Sequence, residues 1–515
     1  MKTMKSLFAA LLAAAVLIVG GFGNASSVQA QGGGRLIIGT NAPVNLDPSS
    51  GSNDPEVLFN HLIYDYLFDV APDSSVVPNL AAEYTVSEDS LTYTLTLADG
   101  VTFHDGSPLT AEDVVFTYNR LKEVESPALG LLSSGSFEVA AQDDATVVFT
   151  LTEPNADFLY GLAGRFTGIL KAGTETPNTL GEGDAAFASF NGTGPFILTE
   201  YSAGERAVFT ANENYFKADQ PALDSVELVF IEDTQAQIDA LRTGEVNFIF
   251  KVPVDQIATL EGIDGVTVLE RATSQHPVIR LRADEGHLGE DVRVRTAFKL
   301  ATNREELNDV LLEGRGIVAN NDPIAPSFGV FYDDSIEKPA HDPAAACQLI
   351  SEATGEERVT VDFYVPETLG YADLATVLQQ QWAEGCIDVN ILVRPEGVYY
   401  SADEWLEVDL GITGWGDRPI PQQVLTEAYI TGGIYNETHW SNAELDALVA
   451  EAAQTLDTEA RAGIYSQIAQ LFADEGPIIV PYFAPMIGAV TDNVQGLEMA
   501  AFPGLTDLRT VSVTE

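Results

Sequence analysis

The stretch Gly100-Val101-Thr102-Phe103-His104-Asp105-Gly106-Ser107-Pro108-Leu109-Thr110-Ala111-Glu112-Asp113-Val114 carries three backbone instructions in succession. Asp99-Gly100 turns the chain, Val101-Thr102-Phe103 returns it as a strand, and His104-Asp105-Gly106-Ser107-Pro108 forms a loop of turn-favouring residues. Thr110 and Asp113 have capping-box spacing, in which each side chain can satisfy a backbone N–H at a helix start. Val114, Tyr118 and Leu121 then recur at helical spacing and predict one apolar face. Just upstream, Leu91-Thr92-Tyr93-Thr94-Leu95-Thr96-Leu97 alternates apolar and polar residues, the pattern of a half-buried strand.

The same mixture of periods extends outward in both directions. Toward the N-terminus, Arg35-Leu36-Ile37-Ile38-Gly39-Thr40 reads as a strand, Asn45-Leu46-Asp47-Pro48 as a turn, and residues 58–68 as a helix. Toward the C-terminus, Gly192-Thr193-Gly194-Pro195-Phe196 opens a second block. It holds strands at 196–201, 207–210, 226–231 and 246–250, and a helix at 235–242 stopped by Gly244. A third block opens near Asp291. Helices are expected there at 292–300, 303–312, 344–353, 371–383, 443–453 and 458–472, and strands at 359–365, 387–393 and 408–413, with residues 478–482 closing the block. Strand alternating with helix indicates an α/β layer architecture, and 515 residues suggest two or three domains.

Residues 1–30 read as a cleavable signal peptide. Lys2 and Lys5 precede an apolar run at 7–19, shorter than the ~20 residues a membrane-spanning helix needs. Val28-Gln29-Ala30 offers a cleavage site, and no cysteine beside it could carry a lipid. The formal charge of −52 describes a surface that repels nucleic acid and anionic lipid. No Asp-x-Asp-x-Asp-Gly loop turns that acidity into a calcium site. Screening reduces self-repulsion, so added salt is expected to raise the melting temperature; a flat response would count against this reading of the charge. Cys347 and Cys386 are an even pair in an exported chain, which points to a disulfide worth ~3–4 kcal/mol if the geometry fits, two buried thiols being the alternative.

Catalytic motifs are absent: no Gly-x-Ser-x-Gly elbow, no His-Glu-x-x-His, no phosphate-cradling Gly-x-x-x-x-Gly-Lys loop. His61, His104, His276, His287, His341 and His439 lack ligand spacing. The expectation is a binding protein without a cofactor, not an enzyme. Two aromatic, turn-rich stretches stand at C-terminal strand ends, where crevices of α/β sheets bind ligands. One contains Tyr399 and Tyr400, the other Trp415, Asp417 and Arg418. A flat apolar wall with neighbouring opposite charges suits a zwitterion. Equally, Trp415 can be core and Asp417-Arg418 a solvated turn.

At this point the chain resembles family 5 of the bacterial solute-binding proteins, which contains the oligopeptide- and dipeptide-binding receptors. Residues 100–114 are close to the family pattern GVKFHDGxPLTAEDV. Leu46-Asp47-Pro48, the Tyr64-Asp65-Tyr66-Leu67 segment (helical in the family), Pro78-Asn79-Leu80-Ala81, Gly192-Thr193-Gly194-Pro195-Phe196, Ala240-Leu241-Arg242-Thr243-Gly244-Glu245-Val246 and Asn303-Arg304-Glu305-Glu306-Leu307 match further family motifs in order. The resemblance implies a fold like the type II periplasmic binding proteins, with two main lobes, an inserted subdomain and a ligand cleft between lobes. Its segments would be 31–67, 194–283 and 485–515 for lobe I, 68–193 for the inserted lobe II, and 284–484 for lobe III. It implies a periplasmic or extracellular monomer that captures a peptide or other small solute and hands it to an ABC permease. His104 and Asp105 fall in a structural turn of the family.

The family's peptide receptors bind the peptide amine through an aspartate just after the Gly-Trp strand end, and Asp417 is the counterpart here. The surrounding pattern departs: Arg418-Pro419 stands where an acidic stretch is typical, and Ile412 where some peptide receptors carry an arginine. The resemblance also brings Asn53 and Asp54 toward the ligand, and Asn436 through the Tyr435–Trp440 segment. A peptide is the expected solute; an oligosaccharide, nickel chelate or haem is the alternative, with an exported hydrolase or a chaperone on the same fold behind them.

Overall fold

The computed structural model describes residues 33–514 apart from 72–74, 133–135, 182–185, 368–369 and 402–403. The signal peptide expected at 1–30 lies outside the described residues. Three sheets of four or more strands organise the chain, each with its own apolar core.

The first sheet has seven strands in the order Val266–Arg271, Met486–Thr491, Phe248–Phe250, Arg35–Thr40, Ser225–Phe230, Arg206–Ala211, Phe196–Ser202. Arg35–Thr40 lies parallel to both neighbours, Ser225–Phe230 and Phe248–Phe250. Leu36 and Ile38 are wholly buried, as a strand between two parallel partners requires. The N-terminal, middle and C-terminal parts of the chain thus share one sheet.

The second sheet is antiparallel, in the order Ala81–Val86, Thr92–Leu97, Thr146–Leu151, Phe137–Asp143. Tyr93, Leu95 and Leu97 fill its buried face while the alternate threonines remain on the other. The helix Ala111–Glu123 packs there through Val114, Tyr118 and Leu121. Its capping box forms: Asp113 accepts from the Thr110 backbone N–H at 2.8 Å. Two motifs far apart in the chain meet in one ion pair. The Arg120 guanidinium donates to both Asp47 oxygens, at 3.0 and 2.6 Å, tying the inserted layer to the first lobe.

Gly192 and Gly194 explain a third motif. The Gly194 N–H donates to Ile63 O at 2.8 Å, and a Cβ on either glycine would strike that carbonyl. The His104 N–H donates to Gly192 O at 2.9 Å, and its Nε2 lies 3.0 Å from Gly194 O. His104 is thus a half-buried strut against two backbone carbonyls, and Asp105 pairs with Lys171 at 2.6 Å. The same contact ends the first helix, Asp54–Ile63, before the expected residue 68. Ile63 O bonds across the lobe instead of continuing the helical ladder, so Tyr64-Asp65-Tyr66-Leu67 is not helical.

The third sheet runs Ile387–Arg394, Val359–Pro366, Leu410–Trp415, His276–Leu281, Ile478–Ile479. His276–Leu281 pairs antiparallel with Leu410–Trp415. The passage from the first sheet to the third therefore lies between Arg271 and His276, upstream of the expected boundary at 283. Trp382 anchors this lobe, wholly buried against Phe298 and Phe363, its indole N–H on Thr302 Oγ1 at 2.9 Å. A disulfide joins Cys347 to Cys386.

Candidate ligand-binding cleft

The strand Leu410–Trp415 delivers its C-terminal end to the passage between the first and third sheets. Just beyond it, one Asp417 oxygen accepts from the Ser274 N–H at 2.7 Å and from Ser274 Oγ at 2.9 Å. Ser274 Oγ also accepts from the Arg418 N–H at 2.8 Å. Ser274 is itself a residue of the passage, so Asp417 is pinned where the lobes join. Among the described residues its second oxygen, Oδ2, makes no hydrogen bond. Burial raises the Asp417 pKa, opposed by the Ser274 bonds and by the Arg418 and Arg165 charges.

Arg418 lies over the Trp415 ring, 5.4 Å from its centroid, and donates through Nη1 to Gly416 O and Asp417 O. Its Nε is buried without a partner. Glu427 Oε2 stands 3.8 Å from Nη2, too far for a hydrogen bond. Trp415 is 8% exposed, so the wall and core readings both apply: its ring closes the third lobe's core while carrying Arg418 on one face.

The opposite side is supplied by residues the sequence did not mark. Arg165 follows the helix Phe158–Leu162 of the second lobe. Its guanidinium stacks on Phe166 at 4.9 Å and on Phe502, from the C-terminal tail, at 4.5 Å. It interacts electrostatically with Arg418, Asp54, Asp417 and Glu427. Burial, and secondarily Arg418, lower its pKa to about 10. Asp54 is buried, accepting from the Gly504 N–H at 3.1 Å and pairing with Lys251 at 2.9 Å. No local pattern surrounds Arg165 or Phe502, and only tertiary packing brings the second lobe and the C-terminal tail together there.

Four of the expected residues stand away from these charges or have their polar atoms engaged. Asn53 caps the helix Asp54–Ile63 by accepting from the Glu56 N–H at 3.0 Å. Asn436 donates to Ile430 O and Trp440 O and accepts from Thr438, which folds its loop. Tyr399 is buried, donating to Ile412 O at 2.7 Å. Tyr400 is 37% exposed and meets Trp405 edge to face. Behind Trp415 a network absent from the sequence reading fills the lobe: Glu437 accepts from Arg280 Nε and from Thr413 Oγ1, and Arg280 also reaches Trp405 O. A small cavity lined by Arg280, Trp415, Tyr435 and Glu437 adjoins it. Among the described residues no cluster of histidine, cysteine and carboxylate could hold a metal ion.

The second and third lobes also touch directly. Asp157, beside the second lobe's core, takes both Arg461 donors at 2.7 and 2.5 Å. The Ala156 N–H donates to Ala453 O at 2.8 Å.

Asp417 and Arg418 stand at the passage between the first and third sheets, and comparison with known proteins gives the class of protein to which that arrangement belongs. A family model described as bacterial extracellular solute-binding proteins, family 5, middle, matches residues 75–436. The di/tripeptide-binding protein 2 of Pseudomonas aeruginosa is 28% identical over 94% of this chain and 96% of its own length. The heme-binding protein A of Haemophilus influenzae is 26% identical over 85% of each. The structure of the ABC transporter substrate-binding protein CtaP of Listeria monocytogenes superimposes with a TM-score of 0.81 at 25% identity, covering 94% of this chain and 100% of that one. The chain belongs to family 5 of the bacterial extracellular solute-binding proteins. It is a substrate-binding receptor of an ABC importer and not an enzyme. No described helix is long and apolar enough to cross a membrane.

Proposed function

We propose that the solute is a short peptide whose ammonium group is held by Asp417. The observation that carries this reading is the Asp417 carboxylate, fixed by Ser274 through one oxygen and left without a hydrogen bond on the other. An immobilised, partly desolvated carboxylate recognises a cation strongly, because a charge-assisted hydrogen bond there replaces less water than at an open surface. The relative that binds di- and tripeptides aligns over nearly the whole chain, which supports the same class. In this reading the chain is exported through residues 1–30, acts as a monomer outside the cytoplasmic membrane, and presents its closed form to the permease.

Mass spectrometry of small molecules released by denaturing the purified protein is the first test. A ladder of short peptides supports the proposal; haem, a sugar or a nickel chelate overturns it. Asp417→Ala is then expected to weaken binding of free-amine peptides about ten- to a hundred-fold, the worth of one hydrogen bond to a charged group. N-acetylated peptides should lose much less. Equal losses for both would remove Asp417 from amine recognition.

A further inference from the structure

We infer that Tyr400, Trp405, Tyr435 and Trp415 form an aromatic face on the third lobe that selects peptides carrying an aromatic side chain close to their amino end. The inference rests on the peptide reading above and adds a side-chain specificity to it.

The four rings follow one another in contact. Tyr400 meets Trp405 with 5.7 Å between centroids, Trp405 meets Tyr435 at 5.8 Å, and Tyr435 meets Trp415 at 6.1 Å. Each distance lies in the range where aromatic pairs attract. Trp415 stands two residues before Asp417, so the row of rings begins beside the carboxylate assigned to the ammonium group. Its other rings reach solvent. Among the described residues the most exposed Phe, Trp and Tyr side chains are Tyr84, Tyr435 and Tyr400, at 43%, 39% and 37%, and two of these three belong to the row. Val398 and Ile434, within two residues of them in the chain, are exposed as well. Contiguous apolar surface left in water marks a place where something binds.

The rings are held by the lobe beneath them. The Trp405 N–H donates to Tyr399 O at 3.1 Å, the Tyr435 N–H donates to Glu427 O at 2.9 Å, and Arg280 donates to Trp405 O. Groups fixed in this way lose little freedom when a ligand stacks on them. Charge and polarity name the ligand group. Glu404 and Glu407 flank Trp405, and each has an arginine partner, Arg394 at 3.2 Å and Arg282 at 2.7 Å. The chain has only 25 lysines and arginines against 77 acids, and two of them are spent offsetting the carboxylates beside this one ring. A neutral side chain therefore suits the face better than an ionised one. A sugar would need hydrogen-bonding groups around the rings, where Val398 and Ile434 offer none. A Phe, Tyr or Trp side chain needs only the rings, its positive edge meeting their negative faces.

The test is calorimetric titration with Ala-X-Ala tripeptides in which X is Phe, Trp, Leu or Ser. The wild-type protein is expected to bind the Phe and Trp peptides about three- to ten-fold more tightly than the Leu peptide, the worth of an aromatic pair beyond its apolar area. Tyr400→Ser combined with Tyr435→Ser should bring the Phe-to-Leu ratio close to one, and should weaken Ala-Phe-Ala more than Ala-Ser-Ala. If that variant fails to fold, Trp405→Phe gives a second reading: most of the change in tryptophan emission on binding Ala-Phe-Ala should disappear. Equal affinity for the Phe and Leu peptides, equal weakening of every peptide by the serine variants, or an undiminished emission change in Trp405→Phe overturns the aromatic face and leaves the peptide reading intact. Binding of no tripeptide overturns both.

Discussion

Replacing Glu437 with alanine is expected to lower the stability of the third lobe by about 3–5 kcal/mol, the cost of stranding a buried charge by removing its partner. Arg280 lies on His276–Leu281, an interior strand of the third sheet, and its side chain is 1% exposed. Glu437 accepts its Nε and simultaneously bonds Thr413 Oγ1 at 2.6 Å. Without the carboxylate, Arg280 keeps only Trp405 O and a long contact of 3.5 Å to Tyr399 Oη, while its Nη1 already has no partner. The guanidinium lies against Gly411, where a Cβ would fall 2.2 Å from Nη1, so it is packed tightly in place. Differential scanning calorimetry should therefore show a lower melting temperature, and Glu437→Gln, which keeps an acceptor, a smaller loss. A variant that melts within a degree of wild type would mean that water reaches Arg280.

Arg461→Met is expected to act on shape and affinity, not on folding, although the ion pair it breaks is equally buried. Arg461 and Asp157 are 4% and 3% exposed, but they belong to different lobes. Arg461 lies on the helix Thr458–Glu475 of the third lobe's core, and Asp157 caps the helix Phe158–Leu162 of the second. Lobe separation rehydrates both charges, so an unpaired Asp157 penalises the closed form alone. Ligand affinity should fall by up to about a hundred-fold, because apparent affinity scales with the population of the binding-competent state. Small-angle scattering should report a larger radius of gyration for the ligand-saturated variant. Arg461→Met combined with Asp157→Asn should recover part of the loss by removing the stranded charge. A variant that melts as early as Glu437→Ala, with an unchanged scattering profile, would place the pair in the folding core instead.

The contrast between these two pairs shows which features can be read along the chain. The strand Thr92–Leu97 and the helix Ala111–Glu123 declare themselves because alternate residues, or every third and fourth, face one core. The helix Pro421–Ala428, beside the Asp417 turn, was not expected, its short apolar stripe falling in a proline-rich stretch. Tyr64 to Leu67 leave the helical path because Gly194 competes for the Ile63 carbonyl, a partner more than a hundred positions away.

From the sequence by itself came the α/β class and, through motifs strung along the whole chain, the receptor family. It also marked Trp415, Asp417 and Arg418, since a strand end followed by an aromatic wall and opposite charges is a local pattern. Only the tertiary structure decided the partners: Ser274 on Asp417, Arg165 on Phe502, Asp157 on Arg461, and Asn53 and Asn436 turned to capping and loop closure. Periodicity records how each residue meets its own element's core. Charges on different lobes, such as Asp157 and Arg461, meet only through tertiary packing, and no spacing along the chain encodes that encounter.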